Sequence, residues 1–250
     1  MAEERVPYSY DWPMSASELN GLAMESDGGV PEDPNARPLA LFDLDGTLTD
    51  PTDGIITCHK YALDELDVVY PDTIGPDKLV GLAPSDAHRL LGVPDDKIEA
   101  TTAKYKERFA LAGWLEDTAY DGMEVLLAEL AAAGWMLGVA AMKFEPVVVR
   151  VVERIGMADR FDVVVGSDSK SKRTNKRAVI QHAVKTVGKP TSGIAIIGDR
   201  RQDIEAAKSL QMTAIGAGWG FGAIDELMAA NADVVALTPE DVREALVGDG

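Results

Sequence analysis

The chain has 250 residues, and its 42 acidic and 24 basic side chains give a formal net charge of -18. This balance argues against nucleic acid or an anionic membrane as a partner, because both are bound through a basic face. The 46% hydrophobic content is enough for an ordinary folded core. Cys58 is the only cysteine, which excludes an intrachain disulfide, and the acidic N-terminus lacks an apolar signal segment, so we expect a cytoplasmic protein.

Residues 1–38 are rich in acids and lack periodicity, and we interpret them as an N-terminal tail. From residue 39 onward, short apolar runs alternate with segments of helical periodicity. The predicted strands are 39–42, 136–140, 161–165, 194–197, 213–215 and 234–237. The predicted helices are roughly 121–133, 145–155, 175–187, 201–210 and 223–230. This alternation predicts an α/β fold, a Rossmann-like parallel sheet core with helices on both faces.

One apolar window, 125–142, contains a single charged residue, Glu129, and has the length of a membrane span. Gly134 divides the window into a half with helical spacing and a short apolar strand. We therefore predict a buried helix-turn-strand unit there and no contact with a membrane.

Residues 53–120 interrupt the alternation. They contain no convincing strand and several helical segments, including 95–112 after Pro94. We therefore divide the chain into the tail, 1–38, a core formed by 39–52 and 121–250, and an inserted all-helical domain, 53–120.

Two carboxylates follow the first predicted strand. Asp43 and Asp45 are two residues apart, so they start on the same side of the strand, and Gly46 allows the backbone to turn away sharply. Neighbouring carboxylates repel each other, which favours a divalent cation or a division of labour between a nucleophile and an acid/base. A solvated turn rich in acids is the alternative.

A second pair of acids follows the strand 194–197. Asp199 stands at its end, and Asp203 lies one helical turn further on. If the two strand ends are neighbours in the sheet, Asp43, Asp45 and Asp199 can converge on one Mg²⁺. The alternative is that Asp199 caps a helix whose first turn contains Asp203.

The densest basic segment in the chain lies between these acids in sequence. It comprises Lys170, Lys172, Arg173, Lys176 and Arg177. A lysine beside a carboxylate and metal centre would keep a nucleophilic aspartate ionised and bind phosphate. A solvated basic loop is the alternative.

In order and spacing, Asp43-Leu-Asp45-Gly-Thr47, Lys176 at a helix start, and Gly198-Asp199 followed by Asp203 resemble the first, third and fourth motifs of the haloacid dehalogenase superfamily of phosphohydrolases. The long helical insertion resembles the helical cap of that superfamily. The passages 113–116, 164–167, 172–176 and 198–200 are most similar to the phosphoglycolate phosphatase branch. The resemblance covers residues 39–246.

The resemblance implies a set of roles. Asp43 would attack the substrate phosphorus and form an aspartyl-phosphate, and Asp45 would act as general acid and then as general base. The Asp43 carboxylate, the Asp45 backbone carbonyl and the Asp199 carboxylate would hold Mg²⁺, and Asp203 would position its waters. Lys176 would neutralise charge at the reacting phosphate. The expected phosphate-binding residues are Gly46, Thr47, Ala141, Met142 and Lys176.

The chain departs from the family at the second motif, a strand that ends in Thr or Ser. The matching residues 139–143 place Ala141 where that hydroxyl belongs. A lost hydrogen bond to a charged group costs about 1.5–3 kcal/mol, which is roughly a tenfold to hundredfold loss of rate. The backbone N–H groups of 142 and 143 remain, so we expect a weakened enzyme rather than an inactive one.

We therefore expect a Mg²⁺-dependent phosphomonoester hydrolase that acts on a small phosphorylated metabolite, phosphoglycolate phosphatase-like or nucleotidase-like, as a monomer or homodimer. One alternative is a catalytically weakened or retired relative that binds a phosphorylated ligand or a protein partner. A phosphomutase, which uses the same pair of aspartates, is another.

The remaining candidates carry weaker signals. The glycine-rich segment 216–222 fits a dinucleotide-binding fingerprint poorly, and we expect a flexible loop beside the site. His59, His88 and His182 show no metal-binding spacing and are expected at the surface or in the cap. His59 and Arg89 are candidate substrate contacts.

Overall fold

A computed structural model describes residues 37–71, 73–168, 172–188 and 193–248. The interpretation of residues 1–36 as a tail therefore lies outside the described residues. Lys170, the first residue of the basic segment, lies outside them as well.

The core of the protein is a six-stranded parallel sheet with the strand order β5-β4-β1-β6-β7-β8. The strands are β1 (Leu39–Phe42), β2 (Thr49–Asp50), β3 (Thr118–Ala119), β4 (Met136–Phe144), β5 (Val163–Ser167), β6 (Ile194–Gly198), β7 (Thr213–Ala217) and β8 (Val234–Ala236). The pair β2 and β3 forms a separate antiparallel ribbon. Because β1 lies between β4 and β6, Phe42 pairs with both Val139 and Ile197. The residues that follow β1 and β6 therefore meet at one edge of the sheet.

Helices cover both faces of the sheet. They are α1 (Thr52–Asp64), α2 (Pro84–Leu90), α3 (Ile98–Leu111), α4 (Met123–Ala132), α5 (Glu145–Arg154), α6 (Lys176–Val187), α7 (Arg201–Ser209), α8 (Ile224–Ala229) and α9 (Pro239–Val247). Alternate β1 residues serve opposite faces: Phe42 packs in one buried cluster with residues of α4, α5 and α9, and Leu41 packs in another with residues of α6, α7 and α8. The predicted α/β fold with two helical layers is confirmed.

The inserted segment has an apolar core of its own. Leu63 on α1 packs there with residues that follow it along the chain, among them Leu79, Leu91 and Ile98. The expectation of no strand between 53 and 120 was wrong at β3, because a two-residue strand is too short to show an alternating pattern. The ribbon of β2 and β3 joins the two connections between this helical insertion and the core.

Two further elements refine the predictions. The window 125–142 is a buried helix and strand, as expected, with Gly134 at a φ of +91° between α4 and β4. Helix α9, which was not among the predicted elements, packs against α4. None of the described helices has both the length and the apolar character needed to cross a membrane.

Candidate active site

Three carboxylates meet at the carboxyl edge of the sheet. Asp43 follows β1, and its backbone N–H donates to the carbonyl of Ile197 on β6 at 2.8 Å. Asp199 follows β6, and Asp203 lies in the first turn of α7. The three side chains each offer an oxygen, and these oxygens lie within 4.8 Å of one another. The two strand ends are neighbours, as the predicted convergence required. The Asp45 carboxylate, which was expected to converge with Asp43 and Asp199, is not part of this group, and Asp203 is.

The backbone around Asp199 is packed too closely for side chains. Gly46 has a φ of +82°, and a Cβ there would lie 2.2 Å from Asp199 Oδ2. A Cβ on Gly220 would lie 2.3 Å from the Asp199 Cβ, and the backbone N–H of Phe221 donates to Asp199 Oδ2 at 2.9 Å. The glycine-rich segment 216–222 therefore lies beside the site, as predicted, and packs against Asp199. The expected flexibility of this segment stays a prediction.

Lys176 is the cation of this cluster. It begins α6, whose N-cap Asn175 accepts a hydrogen bond from the Ala178 N–H, and it is buried. Its Nζ lies 2.9 Å from Asp43 Oδ1 and 2.7 Å from Asp203 Oδ1. Burial lowers the pKa of Lys176, but the carboxylates of Asp203 and Asp43 more than offset this, so the pKa is raised and the amine stays charged.

The acids remain short of positive charge despite Lys176. Burial, and then the neighbouring carboxylates of Asp43 and Asp203, raise the pKa of Asp199 to about 7. Burial also raises the pKa of Asp203 to about 6, against the lowering effect of Lys176. Asp199 Oδ1 is buried, with no hydrogen-bond partner among the described residues. Hard oxygen donors with unmet charge fit a divalent cation such as Mg²⁺.

Asp45 contacts a different cation. Its Oδ1 lies 2.8 Å from Nζ of Lys143 at the end of β4, and the same Nζ lies 2.7 Å from Oδ2 of the fully buried Asp117. Burial raises the pKa of Asp117 to about 6, against the opposing effect of Lys143. The sequence interpretation counted the backbone N–H of Lys143 as a phosphate donor but assigned no role to its side chain or to Asp117. Lys143 is the last residue of the stretch matched to the second motif, so the sequence could have identified it as a site residue. The residues around Asp117 contain no motif that could have identified it.

Apart from Lys176, the predicted phosphate-binding residues divide into two groups. Ala141 and Met142 lie on β4 in the wall of the same cleft as Asp43, and Ala141 is almost completely buried. Gly46 and Thr47 form the turn beneath Asp199, and the carbonyl of Thr47 accepts a hydrogen bond from Trp219 Nε1 at 3.0 Å. The structure thus places an apolar methyl group at the position where the resemblance predicts a hydroxyl.

The cleft lies between the carboxyl edge of the sheet and the helical insertion and has a volume of about 1460 Å³. Asp43, Asp45 and Lys176 line it from the core. The insertion contributes residues such as Ile55 and Tyr105. Four apolar side chains in its walls remain between 42% and 45% exposed: Leu82, Leu90, Met142 and Phe144. The site therefore combines a charged floor with apolar walls.

The histidines do not take part in the cleft. His59 and His88 lie in the insertion, which was one of the two predicted locations, and both are buried rather than at the surface. His59 Nδ1 lies 3.2 Å from His88 Nε2. His59 also packs against the ring of Tyr105, with 4.5 Å between ring centroids. Because His59 is only 1% exposed, it is not a substrate contact. Arg89 is exposed and pairs with Asp86 at 2.8 Å.

Most of the described basic segment is paired rather than solvated. Arg173 Nη1 lies 2.7 Å from Glu145 Oε2, and Arg177 Nη1 donates to the carbonyl of Ser209 at 2.8 Å. Only Lys176 among them reaches the carboxylate cluster, where it pairs with Asp43 and Asp203. The solvated-loop alternative was therefore wrong for Lys176 and Arg173, whose side chains are largely shielded from solvent, whereas Arg177 is exposed, as that alternative expected.

The fold and the site together define an α/β enzyme with an acidic active site beneath a helical insertion. A sequence model described as haloacid dehalogenase-like hydrolase matches residues 40–217, and the chain belongs to this family.

Several relatives carry more specific names. The chain is 32% identical over 210 residues to the tyrosine-protein kinase PtkA of Mycobacterium tuberculosis, covering 83% of this chain and 72% of the relative. It is 34% identical over 194 residues to a 5'-nucleotidase of Pseudomonas aeruginosa, with 77% and 87% covered. A phosphoglycolate phosphatase of Xanthomonas campestris is 26% identical over 207 residues, with 82% and 94% covered. Among solved structures, a putative phosphatase from Clostridium difficile superimposes with a TM-score of 0.78 at 28% identity, covering 85% of this chain and 99% of that one.

Proposed function

We propose that the protein is a Mg²⁺-dependent phosphomonoester hydrolase that acts on a small phosphorylated metabolite through an aspartyl-phosphate on Asp43. One observation carries the proposal: the Asp43 carboxylate stands at the end of the central strand, within 4.8 Å of Asp199 and Asp203 oxygens and 2.9 Å from the buried Lys176 ammonium. A nucleophilic carboxylate beside a fixed cation, at the edge of a parallel sheet where ligands bind, suits phosphoryl transfer.

The residues proposed to hold the metal are Asp43, Asp199 and the backbone carbonyl of Asp45, with Asp203 positioning its waters. Asp199 Oδ1, which has no hydrogen-bond partner in the described part of the chain, and the raised pKa values of Asp199 and Asp203 support this set. When bound, the cation would neutralise charge on the phosphoryl oxygens and let an acidic protein accept an anionic substrate.

The chain's own residues supply the chemistry. Asp43 attacks phosphorus, and its new bond to phosphorus forms as the bond from phosphorus to the ester oxygen breaks. Asp45 gives that oxygen its proton, and the alcohol leaves. A water then attacks the aspartyl-phosphate while Asp45 takes its proton, which releases phosphate and restores Asp43. Lys176 pairs with the Asp43 carboxylate and stabilises the negative charge at the phosphoryl group.

The helical insertion is proposed to act as a cap that covers the cleft and recognises the organic half of the substrate. Its apolar residues Leu82 and Leu90 face the core residues Met142 and Phe144 across a cleft of about 1460 Å³. That volume exceeds the roughly 300–1,000 Å³ of ordinary small-molecule sites. A larger, partly apolar leaving group, as in a nucleoside monophosphate, therefore suits the cleft better than the small, anionic phosphoglycolate.

A second candidate is transfer of the phosphoryl group from Asp43 to another hydroxyl instead of water. The 32% identity to a protein named tyrosine-protein kinase favours it. The weakened or retired alternative rests on Ala141, which supplies no hydroxyl for phosphate. The proposal also includes a cytoplasmic location and a monomeric or homodimeric state, with neither nucleic acid nor membrane as a partner.

The test is phosphate release from a panel containing phosphoglycolate, adenosine 5'-monophosphate and 4-nitrophenyl phosphate, with Mg²⁺ and with EDTA. We expect release that requires Mg²⁺ and falls at least about 10³-fold in Asp43→Asn, because loss of a nucleophile removes the covalent route. The matched control is Asp225→Asn, an exposed aspartate on α8. Activity that survives in Asp43→Asn, or a wild type that releases no phosphate, would refute the proposal. A phosphorylated acceptor without free phosphate would favour the transferase.

A further inference from the structure

A largely buried chain of charges links the proposed acid/base residue to the helical insertion. The Lys143 ammonium lies 2.8 Å from Asp45 Oδ1 and 2.7 Å from Asp117 Oδ2, and the side chain of Asp117 is fully buried. The same ammonium lies 5.6 Å from the centroid of the Phe109 ring on α3. One lysine from the sheet therefore contacts the acid/base loop, the end of the insertion and its longest helix.

These charges are fixed rather than solvated. The Lys143 side chain is 10% exposed, and that of Asp45 is 25% exposed. An ion pair between two long, exposed side chains can form in many side-chain conformations. A buried ammonium that pairs with a buried carboxylate has few conformations available. Lys143 therefore restricts where the Asp45 carboxylate can lie.

The chain position of Asp117 adds a mechanical link. Asp117 immediately precedes β3, and β3 pairs with β2, so that Thr49 faces Ala119 and Asp50 faces Thr118. Both connections between the insertion and the core pass through this ribbon. The partner of Lys143 thus stands where the insertion returns to the core, three residues before the Tyr120 N–H that donates to Leu48 at 3.1 Å.

We propose that Lys143 and Asp117 are positioning residues, in which Asp117 fixes the Lys143 ammonium and the ammonium holds the Asp45 side chain in place, so that its protonated carboxyl group can transfer the proton to the leaving-group oxygen. This inference rests on the proposed hydrolase function. It does not require either residue to touch the substrate or to exchange a proton. Because Asp117 belongs to the returning connection, the placement of the acid/base group depends on the placement of the insertion.

The test uses leaving groups that need a proton to different degrees. Substituted phenyl phosphates of similar size, from 4-nitrophenyl to 4-methoxyphenyl, differ in how well the phenolate leaves without a proton. A defect in general-acid catalysis slows the 4-methoxyphenyl ester more, whereas a merely structural defect slows both esters equally. The measured quantity is kcat/KM, which includes departure of the leaving group but not the later hydrolysis step.

In Lys143→Met we expect kcat/KM for the 4-methoxyphenyl ester to fall about tenfold more than for the 4-nitrophenyl ester, a fraction of the 10²- to 10⁴-fold that general acid–base catalysis typically contributes. Asp117→Asn should show the same selectivity to a smaller degree. It should add nothing in the Lys143→Met background, because Asp117 acts through the lysine. The control is Lys208→Met, which removes a lysine paired with Asp233 at the surface.

The double variant also keeps the test decisive if Lys143→Met does not fold, since it removes both buried charges together. Equal losses for both esters in the folded variants, or additive losses in the double variant, would overturn the inference while leaving the hydrolase function intact. A wild type that cleaves neither ester would overturn the hydrolase function and this inference with it.

Discussion

Replacing Ala141 with threonine tests whether a missing hydroxyl limits this enzyme. Ala141 lies near the carboxyl end of β4, is 1% exposed and lines the cleft that contains Asp43. Its methyl group cannot donate a hydrogen bond to a phosphoryl oxygen. Ala141→Thr would add that donor without altering the proposed nucleophile Asp43, the proposed acid/base residue Asp45 or Lys176.

The expected gain depends on the strength of the added hydrogen bond. A hydrogen bond to a charged group is worth about 1.5–3 kcal/mol, and each 1.36 kcal/mol changes a rate about tenfold. If the bond forms chiefly in the transition state, kcat should rise roughly tenfold to hundredfold. Ala141 is buried in a packed cluster with Val139 and Val148, so the two extra atoms should lower the free energy of unfolding by about 1–3 kcal/mol.

The control is Ala141→Val, which has the shape of threonine but no hydroxyl. We expect Ala141→Thr to raise kcat for 4-nitrophenyl phosphate while Ala141→Val leaves it unchanged or lowers it, with a similar loss of stability in urea for both. Equal activities of the two variants would show that the hydroxyl is not what limits turnover.

Three further predictions concern the charges and packing of the site and the insertion. Lys176→Met should lower kcat about 10²- to 10³-fold in the phosphate-release assay, because it removes the cation between Asp43 and Asp203; a loss under tenfold would contradict its role. Gly220→Ala should weaken Mg²⁺ binding in calorimetric titrations, because the new Cβ would lie 2.3 Å from the Asp199 Cβ; unchanged affinity would show that the loop can move without cost. Burial lowers the pKa of His59 to about 3 and of His88 to about 4, so below pH 6.5 the unfolded chain binds more protons than the folded one. The histidine contribution to stability is therefore complete above pH 6.5 and is lost as the pH falls, by about 2 kcal/mol for each histidine at pH 5. Urea unfolding at pH 7.5 and pH 5 should show a larger loss of unfolding free energy in the wild type than in a His59→Gln/His88→Gln variant. The buried aspartates have raised pKa values and the opposite effect, but they are present in both proteins and cancel in the comparison. An equal pH dependence of the two proteins would refute the histidine contribution.

The secondary structure of the core was largely predictable because its signal is local. Leu39–Phe42 and Ile194–Gly198 are short apolar runs, as strands buried on both faces must be, and the acids that follow them occupy the strand ends. The positions of Asp43 and Asp199 directly after their strands also predicted that the two residues lie at the same edge of the sheet. This prediction required the two strands to be neighbours, as they are. The two-residue strands of the ribbon were missed because so short a segment has no period.

The contacts that organise the site join residues far apart in the chain. Lys143 contacts Asp45 across 98 residues and Asp117 across 26, and His59 meets His88 across 29. No local pattern identifies such partners, because the distance between two side chains depends on how the strands and the insertion pack together.

The amino-acid sequence by itself thus determined the α/β class and the absence of a hydroxyl at Ala141, and it supplied the residues proposed as nucleophile, acid and lysine, since each of these signals lies in a short stretch of consecutive residues. Only the tertiary structure decided that the Asp45 carboxylate pairs with Lys143, that the glycine-rich segment packs against Asp199, and that the cleft has apolar walls. The physical reason is that burial and charge compensation act between whole elements, and a side chain acquires its partners when those elements pack.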